Sequence, residues 1–310
     1  MAGQPTFSPR RALGRTGFVA TVLGIGDLAD WSVPLEQCVA TVRRAMDAGL
    51  NVIDTAPGYE DGYSEQIVAA ALKGRRDGMF VIDKIDHADQ PVAPQVDASI
   101  GRLAMDGVDL FVFHGVSQPA AWQVIAAPGG PMDALAACVR QGKARFRGIS
   151  SHHPEVLRAA ITSGLCDVVL FSVGAYCDRR YIEDILPLAR AKGVGTVCFK
   201  TFGAGKLVGD TAGYGRPLAH RPRGKASSGG QDGLPLLPHL SVEQCVRYTL
   251  TCDADVALLG LSFPNEQDVA FAAAANFVPM SPAELAETRR LAELAMQDKG
   301  PAWWNPPQSA

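Results

Sequence analysis

The feature that most constrains the fold is the alternation of short apolar runs with amphipathic segments along nearly the whole chain. The apolar runs lie at residues 21–26, 51–55, 79–84, 110–114, 145–150, 167–172, 195–200 and 256–260. Between them, as in 34–49 and 154–164, apolar residues recur three and four positions apart and the segment ends at glycine. Strands alternating with helices in this way predict parallel β-α-β units.

Eight such units are typical of a (β/α)8 TIM barrel, which takes about 250 residues plus insertions. The 310 residues of the chain accommodate one such barrel. A doubly wound open sheet is the alternative, but it needs a G-x-G-x-x-G turn after its first strand. The corresponding stretch, "GIGDLAD", lacks the third glycine. We therefore predict an α/β fold with a single barrel domain over residues 1–310.

Three segments do not fit the repeat. Residues 11–22 surround the turn "GRTG" and predict a β-hairpin before the barrel. Residues 203–240 form a long insertion after the seventh strand, rich in glycine, proline and serine, which we expect to be flexible. Residues 301–310 predict an irregular tail, and its two tryptophans could close over a pocket.

Composition and charge exclude several classes of function. The net charge is −3, so nothing favours binding to nucleic acid or to an acidic membrane surface. No apolar run approaches the roughly 20 residues of a membrane span. The first residues, "MAGQPTFSPRRALG", contain no apolar core of a secretory signal. We expect a cytoplasmic protein that contacts neither nucleic acid nor membrane, and the sequence leaves its oligomeric state open.

The cysteines and histidines give no metal-binding pattern. The seven cysteines form no C-x-x-C pair, which favours buried free thiols over a disulfide framework or a metal cluster. The pair at 152–153 precedes Pro154 at a helix start, and no H-x-H motif lies on the first two strands. The sequence therefore predicts no metal site.

Polar side chains stand where the predicted strands end, which is the end of a TIM barrel that carries the chemistry. These residues are Asp27, Asp54, Lys84, His114, Ser150, Ser172 and Lys200, and Tyr59 lies on the loop after the second strand. Taken singly, each has a plain structural explanation. Asp54 could hold a turn, Lys84 could face solvent, His114 could be a core histidine, and Tyr59 could be a loop aromatic. Their convergence on adjacent strands favours a shared site.

These residue types form a proton donor when brought together. A phenol has a pKa of about 10, and a nearby ammonium lowers it by stabilising the phenolate. The ammonium in turn needs a carboxylate, because a buried lysine without one tends to lose its proton. We expect Lys84 to lower the pKa of Tyr59, Asp54 to hold Lys84, and His114 to orient a substrate carbonyl.

Four stretches of the chain resemble the aldo-keto reductase family. They are "RALGRTGFVATVLGIG", "NVIDTAPGYEDGYSEQIVAAAL", "VDLFVFHGV" and "GKARFRGISSH". Within the family the chain is similar to a bacterial branch of predicted oxidoreductases, related to potassium-channel β subunits. The resemblance implies a catalytic tetrad of Asp54, Tyr59, Lys84 and His114. It also implies reduction of an aldehyde or ketone by a nicotinamide cofactor, with Tyr59 as the proton donor.

The resemblance also implies contacts to the nicotinamide. Ser150 matches the serine that binds the carboxamide, and Phe199 takes the place of the aromatic residue that stacks on the ring. Ser151 stands where the family usually has asparagine, and Leu170 stands where it usually has glutamine. The clamp on the carboxamide is therefore expected to be unusual.

The remaining cofactor contacts are expected after the seventh and eighth strands. The segment from Lys200 and Thr201 to Lys206 contains Gly203 and Gly205, whose amides could approach the pyrophosphate. Lys206 could equally be a solvated loop residue. After strand eight only Gln267 is a candidate contact, where the family commonly offers lysine or arginine to the 2′-phosphate of NADPH. The four basic residues Arg216, Arg221, Arg223 and Lys225 could compensate from the insertion or simply be solvated.

NADPH is the cofactor that the resemblance implies, and NADH is a possible substitute. The unusual carboxamide clamp keeps a second function open, a nicotinamide-binding sensor with little turnover. A metal-dependent barrel hydrolase is a third alternative from another class.

Overall fold

The computed structural model describes residues 9–27, 29–211, 227–230, 235–260 and 263–306. A hairpin of Arg10–Ala12 (β1) and Val19–Thr21 (β2) comes first. The barrel strands are Leu23–Ile25 (β3), Val52–Asp54 (β4), Phe80–Ile85 (β5), Val108–Phe113 (β6), Ala144–Ser150 (β7), Val168–Ser172 (β8), Gly195–Phe199 (β9) and Val256–Leu259 (β10). They pair in chain order, all parallel, and β10 closes the barrel against β3. The predicted (β/α)8 barrel is confirmed.

Helices surround the barrel and cover the outer faces of its strands. They are Leu35–Asp47 (α1), Tyr63–Leu72 (α2), Val92–Leu103 (α3), Pro119–Ala126 (α4), Pro131–Arg140 (α5), Pro154–Ser163 (α6), Leu186–Ala191 (α7), Val242–Thr251 (α8), Pro264–Ala275 (α9) and Pro282–Met296 (α10). A π-helical turn, Tyr181–Ile185, leads into α7, and a 3₁₀ turn covers Gly203–Gly205. None of the helices in the described ranges is long and apolar enough to cross a membrane.

The hairpin closes the amino-terminal end of the barrel. Leu13 and Ala20 are fully buried and pack with the apolar side chains of the barrel interior. Gly14 has a φ of +48°, and a Cβ atom there would lie 2.2 Å from the backbone nitrogen of Gly195. Only glycine permits this close approach. The first barrel strand is shorter than the predicted 21–26 because Thr21 pairs within the hairpin.

The insertion after β9 is packed against the barrel at some of its described residues and exposed at others, including residues 235–239. Leu207, Val208 and Leu240 are buried, and the Leu240 amide donates to the Leu207 carbonyl at 2.7 Å. The ammonium of Lys299, just after α10, donates to the carbonyl of Lys206 at 2.8 Å. Residues 212–226 and 231–234, including the four basic residues named above, lie outside the described residues.

The tail is anchored by one of its two tryptophans. Trp304 is fully buried, and its indole N–H donates to the Tyr176 carbonyl at 3.1 Å. The hydroxyl of Tyr181 donates to the Trp304 carbonyl at 3.3 Å. Trp303 is 59% exposed and lies toward the open end of the barrel. The predicted irregular tail is therefore fixed at Trp304, although residues 307–310 fall outside the described ranges.

The adjacent tryptophans provide a matched test of this anchor. Removing a fully buried indole leaves a cavity and costs about 3–5 kcal/mol in large-to-small substitutions of this kind. We expect Trp304→Ala to lower the free energy of unfolding by an amount in that range, and Trp303→Ala to change it by under about 1 kcal/mol. Urea denaturation followed by circular dichroism measures both values. Equal destabilisation by the two substitutions would contradict the assigned anchor.

Candidate active site

Alternation along the strands brings polar side chains together at the carboxyl end of the barrel. Val52 on β4 and Ile82 on β5 belong to the apolar interior of the barrel. Side chains two positions apart share a face of a strand. Asp54 and Lys84 lie two positions after these residues and continue the interior face toward the carboxyl ends of the strands. His114 comes directly after β6 and lies at the same end. The barrel interior is therefore apolar toward the amino-terminal end and polar at the open carboxyl end.

Lys84 and Asp54 form a buried ion pair. The lysine Nζ lies 2.6 Å from Asp54 Oδ1, and their side chains are only 2% and 5% exposed. The same Nζ donates to the Thr55 carbonyl at 2.6 Å. Burial alone would lower the pKa of Lys84, but the Asp54 charge and hydrogen bond raise it above its ordinary value. Lys84 is therefore held as an ammonium at neutral pH.

Tyr59 lies directly over this ammonium. The Nζ of Lys84 is 4.5 Å from the centroid of the Tyr59 ring. Burial raises the pKa of the phenol above its ordinary value, and the Lys84 charge opposes that rise only in part. The sequence predicted that Lys84 lowers the pKa of Tyr59; the Lys84 charge does act in that direction, but burial raises the pKa by more. Tyr59 therefore keeps its proton at neutral pH, while Lys84 still lessens the free energy needed to form the phenolate.

His114 packs edge-on against Tyr59 and is oriented by an acid that sequence reasoning missed. The two ring centroids lie 5.5 Å apart at an interplanar angle of 83°. Asp86, two residues after Lys84, lies 2.5 Å from Nδ1 of His114. Burial works to raise the pKa of Asp86, but the hydrogen bond and charge of His114 lower it below its ordinary value. The ionised Asp86 accepts from Nδ1 and leaves Nε2 for a ligand.

These residues open onto a cavity of about 700 Å³. It is lined by Gly26, Asp27, Asp54, Tyr59, Lys84, His114, Gly115, Ser150, His152, Phe199, Lys200, Thr201, Phe202, Ala204, Gly205, Lys206, Leu258, Gly260, Pro301 and Trp303. All four residues of the predicted tetrad thus face one space. Of the predicted cofactor contacts, six line the same cavity: Ser150, Phe199, Lys200, Thr201, Gly205 and Lys206.

Three predicted cofactor contacts lie outside the cavity wall. The Ser151 hydroxyl oxygen accepts from the His153 amide at 3.0 Å and so stabilises its own turn. Gly203 lies at the start of the 3₁₀ turn, and its amide donates to the Lys200 carbonyl at 2.9 Å. Gln267 is buried against α1, where its side chain donates to the Thr41 carbonyl at 3.4 Å.

His152 and Trp303 are further cavity residues. The ring of His152 lies between those of Phe199 and Trp303, with both centroid separations at 5.1 Å. Its Nδ1 is 3.3 Å from the hydroxyl of Ser172, and the Lys200 ammonium is 4.3 Å from the Trp303 ring centroid. Burial, followed by the Lys200 charge, lowers the pKa of His152 to about 4. In the sequence His152 directly follows "GISS", and that position alone indicates only a candidate metal ligand.

The barrel, the buried pair under a protonated phenol and the oriented histidine form one site. The model of the aldo/keto reductase family matches residues 21–287 of this chain. The chain belongs to the aldo/keto reductase family. Known members of this family therefore provide the comparison for its site.

Two curated relatives match this chain over about two thirds of their own length. An L-galactose dehydrogenase of Arabidopsis thaliana is 29% identical over 219 residues, which are 64% of this chain and 66% of that protein. An NADH-specific methylglyoxal reductase of Escherichia coli (strain K12) is 27% identical over 226 residues, 64% of this chain and 68% of that protein. Together with the family match, they bear out the resemblance to the aldo/keto reductase family.

A solved structure supports the fold independently. An aldo/keto reductase from Klebsiella pneumoniae, crystallised in complex with NADP and acetate, has a TM-score of 0.67 to this chain. The two share 20% identity, and the match covers 99% of this chain and 98% of that one. At this identity the likeness concerns the fold of the aldo/keto reductase barrel.

The cavity wall of this aldo/keto reductase has an unused polar group that fits a bound cofactor. The hydroxyl oxygen of Thr201 is buried and finds no hydrogen-bond partner within the described part of the chain. A buried hydroxyl of this kind is costly unless a ligand satisfies it. The aromatic face of Phe199 and the ammonium groups of Lys200 and Lys206 stand beside it. No group of three or more His, Cys, Asp or Glu side chains suited to a metal ion occurs among the described residues.

The environment of His152 gives a direct test of the cavity electrostatics. We expect its imidazole to stay neutral from pH 8 down to about pH 5, because burial and Lys200 lower its pKa to about 4. Lys200→Met removes a positive charge and should raise that pKa, although burial keeps it below the ordinary value. Two-dimensional NMR of the histidine ring signals follows both titrations. An imidazole that titrates near pH 6.5 in the unsubstituted protein would contradict this electrostatic assignment.

Proposed function

We propose that this protein reduces an aldehyde or ketone to an alcohol with a reduced nicotinamide cofactor. The observation that carries the proposal is the buried Lys84–Asp54 pair beneath the protonated phenol of Tyr59, at the wall of a cavity large enough for a ligand. Such an arrangement is suited to delivering a proton to an oxygen that gains negative charge. Reduction of a carbonyl group produces such an oxygen.

Each residue of the site has a distinct part in this reaction. His114 would bind the carbonyl oxygen through Nε2 and fix its direction, with Asp86 holding the ring by Nδ1. Tyr59 would give its proton to the same oxygen as it becomes an alkoxide. Lys84 would stabilise the phenolate that remains, and Asp54 would keep Lys84 charged. The nicotinamide cofactor supplies the hydride when bound.

The cavity wall offers the residues that would hold this cofactor. Phe199 presents an aromatic face for the nicotinamide ring, and Ser150 and Thr201 offer hydroxyl groups. Lys200 and Lys206 supply positive charge for the phosphates. Ser150 already accepts from the Gly115 amide at 2.8 Å, which orients its hydroxyl.

The preferred cofactor is NADPH in this proposal, with NADH as the alternative. The named relatives include an NADH-specific enzyme and a protein crystallised with NADP. The start of α9, over residues 264–268, carries Glu266, Gln267 and Asp268 and no basic residue. Arg44 of α1 pairs with Asp268 and so brings a positive charge to the start of α9. The linear sequence does not indicate this proximity.

A second function, a cofactor-binding sensor with little turnover, is favoured by the carboxamide side of the site. Ser151 is occupied by its own turn, and Leu170 is buried in the barrel interior. A clamp lacking both contacts could bind the cofactor without positioning it for transfer. The rate of turnover separates the two functions.

The proposed function is tested by cofactor titration and by a panel of carbonyl compounds. We expect NADPH to bind more tightly than NADH, and its oxidation with a good substrate to proceed at about 1–10³ per second. Tyr59→Phe keeps the ring but removes the proton, and we expect it to lower kcat at least about 100-fold while cofactor affinity stays nearly constant. Fluorescence titration and absorbance at 340 nm measure the two quantities.

Two outcomes of this experiment would count against the proposed enzymatic reduction or against the role of Tyr59 in it. Tight cofactor binding without turnover on any carbonyl favours the sensor. Turnover that Tyr59→Phe leaves unchanged would remove Tyr59 from the role of proton donor.

Thr201 provides a test of the cofactor site that does not depend on catalysis. If its hydroxyl binds the cofactor, Thr201→Val should weaken the affinity for the preferred nicotinamide cofactor by roughly fivefold, the effect of one hydrogen bond. Thr201→Ser keeps the hydroxyl and is the matched control. Isothermal titration calorimetry gives both dissociation constants. Equal affinities of the valine variant and the unsubstituted protein would show that Thr201 makes no such bond.

A further inference from the structure

A second buried polar cluster lies behind the catalytic lysine. Asp83 precedes Lys84 on β5, and strand alternation directs its side chain outward to the helices while Lys84 faces the cavity. Asp83 and Glu65 of α2 are both completely buried. Oδ1 of Asp83 accepts from the backbone N–H of Lys84 at 2.7 Å. The cluster is therefore attached to the backbone that carries the catalytic lysine.

The surroundings of the second Asp83 oxygen bear on the protonation state of the cluster. Oδ2 is buried, and no donor reaches it from any described residue. The Asp83 carboxyl interacts with the carboxyl of Glu65. Two ionised carboxylates accept hydrogen bonds and repel each other, so a favourable contact between them needs one shared proton.

Arg102 decides which acid holds the proton. Its Nε pairs with Oε2 of Glu65, and its Nη2 donates to Oε1 at 3.1 Å. This double contact stabilises ionised Glu65. Burial, reinforced by the charge of Glu65, raises the pKa of Asp83 well above its ordinary value. The proton therefore resides on Asp83.

The pair joins the two elements that carry the proton donor and its lysine. Asp83 belongs to the strand of Lys84, and Glu65 lies in the first turn of α2. The start of that helix is fixed to the preceding loop, since the Ser64 amide donates to the Tyr59 carbonyl at 3.3 Å. A hydrogen bond between Asp83 and Glu65 would therefore help to fix the distance between Tyr59 and Lys84.

We propose that Asp83 is a positioning residue, kept as a carboxylic acid that donates to Glu65 and so holds the strand of Lys84 against the helix that follows Tyr59. Its catalytic consequence rests on the function proposed above, whereas its protonation does not. The charged groups around Asp83 are Glu65 on α2, Arg102 on α3 and Lys84 on its own strand, with Asp86 also acting on Arg102.

The shared proton links folding to pH with a defined sign. Unfolded Asp83 ionises near its ordinary pKa of 3.8, whereas the pKa of folded Asp83 is raised well above that value, so folded Asp83 keeps its proton to higher pH. Stability from this group is therefore lost as pH rises through the range between the two pKa values. One proton held only by the folded state changes the unfolding equilibrium constant by about tenfold per pH unit.

The first experiment compares the unsubstituted protein with Asp83→Asn between pH 5 and 7 by urea denaturation. Asparagine has nearly the shape of a carboxylic acid and can donate to Glu65 without titrating. We expect the unfolding constant of the unsubstituted protein to rise by up to about tenfold per pH unit relative to this variant. Glu65→Gln is the second variant, because its amide can donate to ionised Asp83 and should remove the same pH dependence. Parallel pH profiles for all three proteins would overturn the proposal.

The second experiment separates positioning from simple stability. We expect Asp83→Leu, which cannot make either hydrogen bond, to lower kcat by about tenfold or more through misplacement of Lys84 and Tyr59. Asp83→Asn should restore most of this loss, and cofactor affinity should change little in either variant. A leucine variant with reduced stability but unchanged kcat would overturn the positioning role. Failure of the proposed carbonyl reduction would leave the result of the urea experiment unaffected.

Discussion

The ion pair between Lys84 and Asp54 is the interaction on which the site depends. A buried ammonium is stable only beside a carboxylate and with its remaining donors satisfied. Here the carboxylate lies at 2.6 Å, and the Thr55 carbonyl takes a second donor at 2.6 Å. Because both partners end interior faces of adjacent strands, the barrel itself fixes their separation. The fold thus creates a permanent positive charge under the Tyr59 ring.

That charge works to lower the pKa of Tyr59, but it only partly offsets the effect of burial. The packed surroundings of Tyr59 raise its pKa, so the phenol is fully protonated before the reaction. Lys84 reduces the penalty that burial would otherwise place on the phenolate. The Tyr59 phenol is therefore protonated at neutral pH. It can still release its proton to an alkoxide, because an alkoxide is a stronger base than the phenolate. A strongly lowered pKa would instead leave part of the enzyme without a proton to give.

The sequence predicted the parts of this arrangement that depend on periodicity. The strand ends, and with them Asp54, Lys84 and His114, follow from alternating apolar runs that any barrel of this kind must have. The hairpin and its tight turn followed from local composition. Family motifs added Tyr59, which periodicity alone places only on a loop.

The parts that could not be predicted depend on contacts between distant segments. Asp86 reaches His114 from the neighbouring strand, and nothing in its local sequence distinguishes it from an ordinary turn residue. Gln267 was a candidate cofactor contact because nothing in the sequence indicates that its side chain packs against Thr41 of α1. The tail is irregular over its described residues 301–306, as expected, but the burial of Trp304 rather than Trp303 depends on the contact of its indole with the distant Tyr176.

A double-mutant cycle tests whether Asp54 acts through Lys84. Asp54→Asn, Lys84→Met and the double variant are compared by kcat/KM on one carbonyl substrate at saturating cofactor. If Asp54 works only by holding Lys84, its substitution adds almost nothing once Lys84 is gone, and the double variant matches Lys84→Met within about twofold. Effects that multiply in full would show that Asp54 acts independently of Lys84 and would contradict the account.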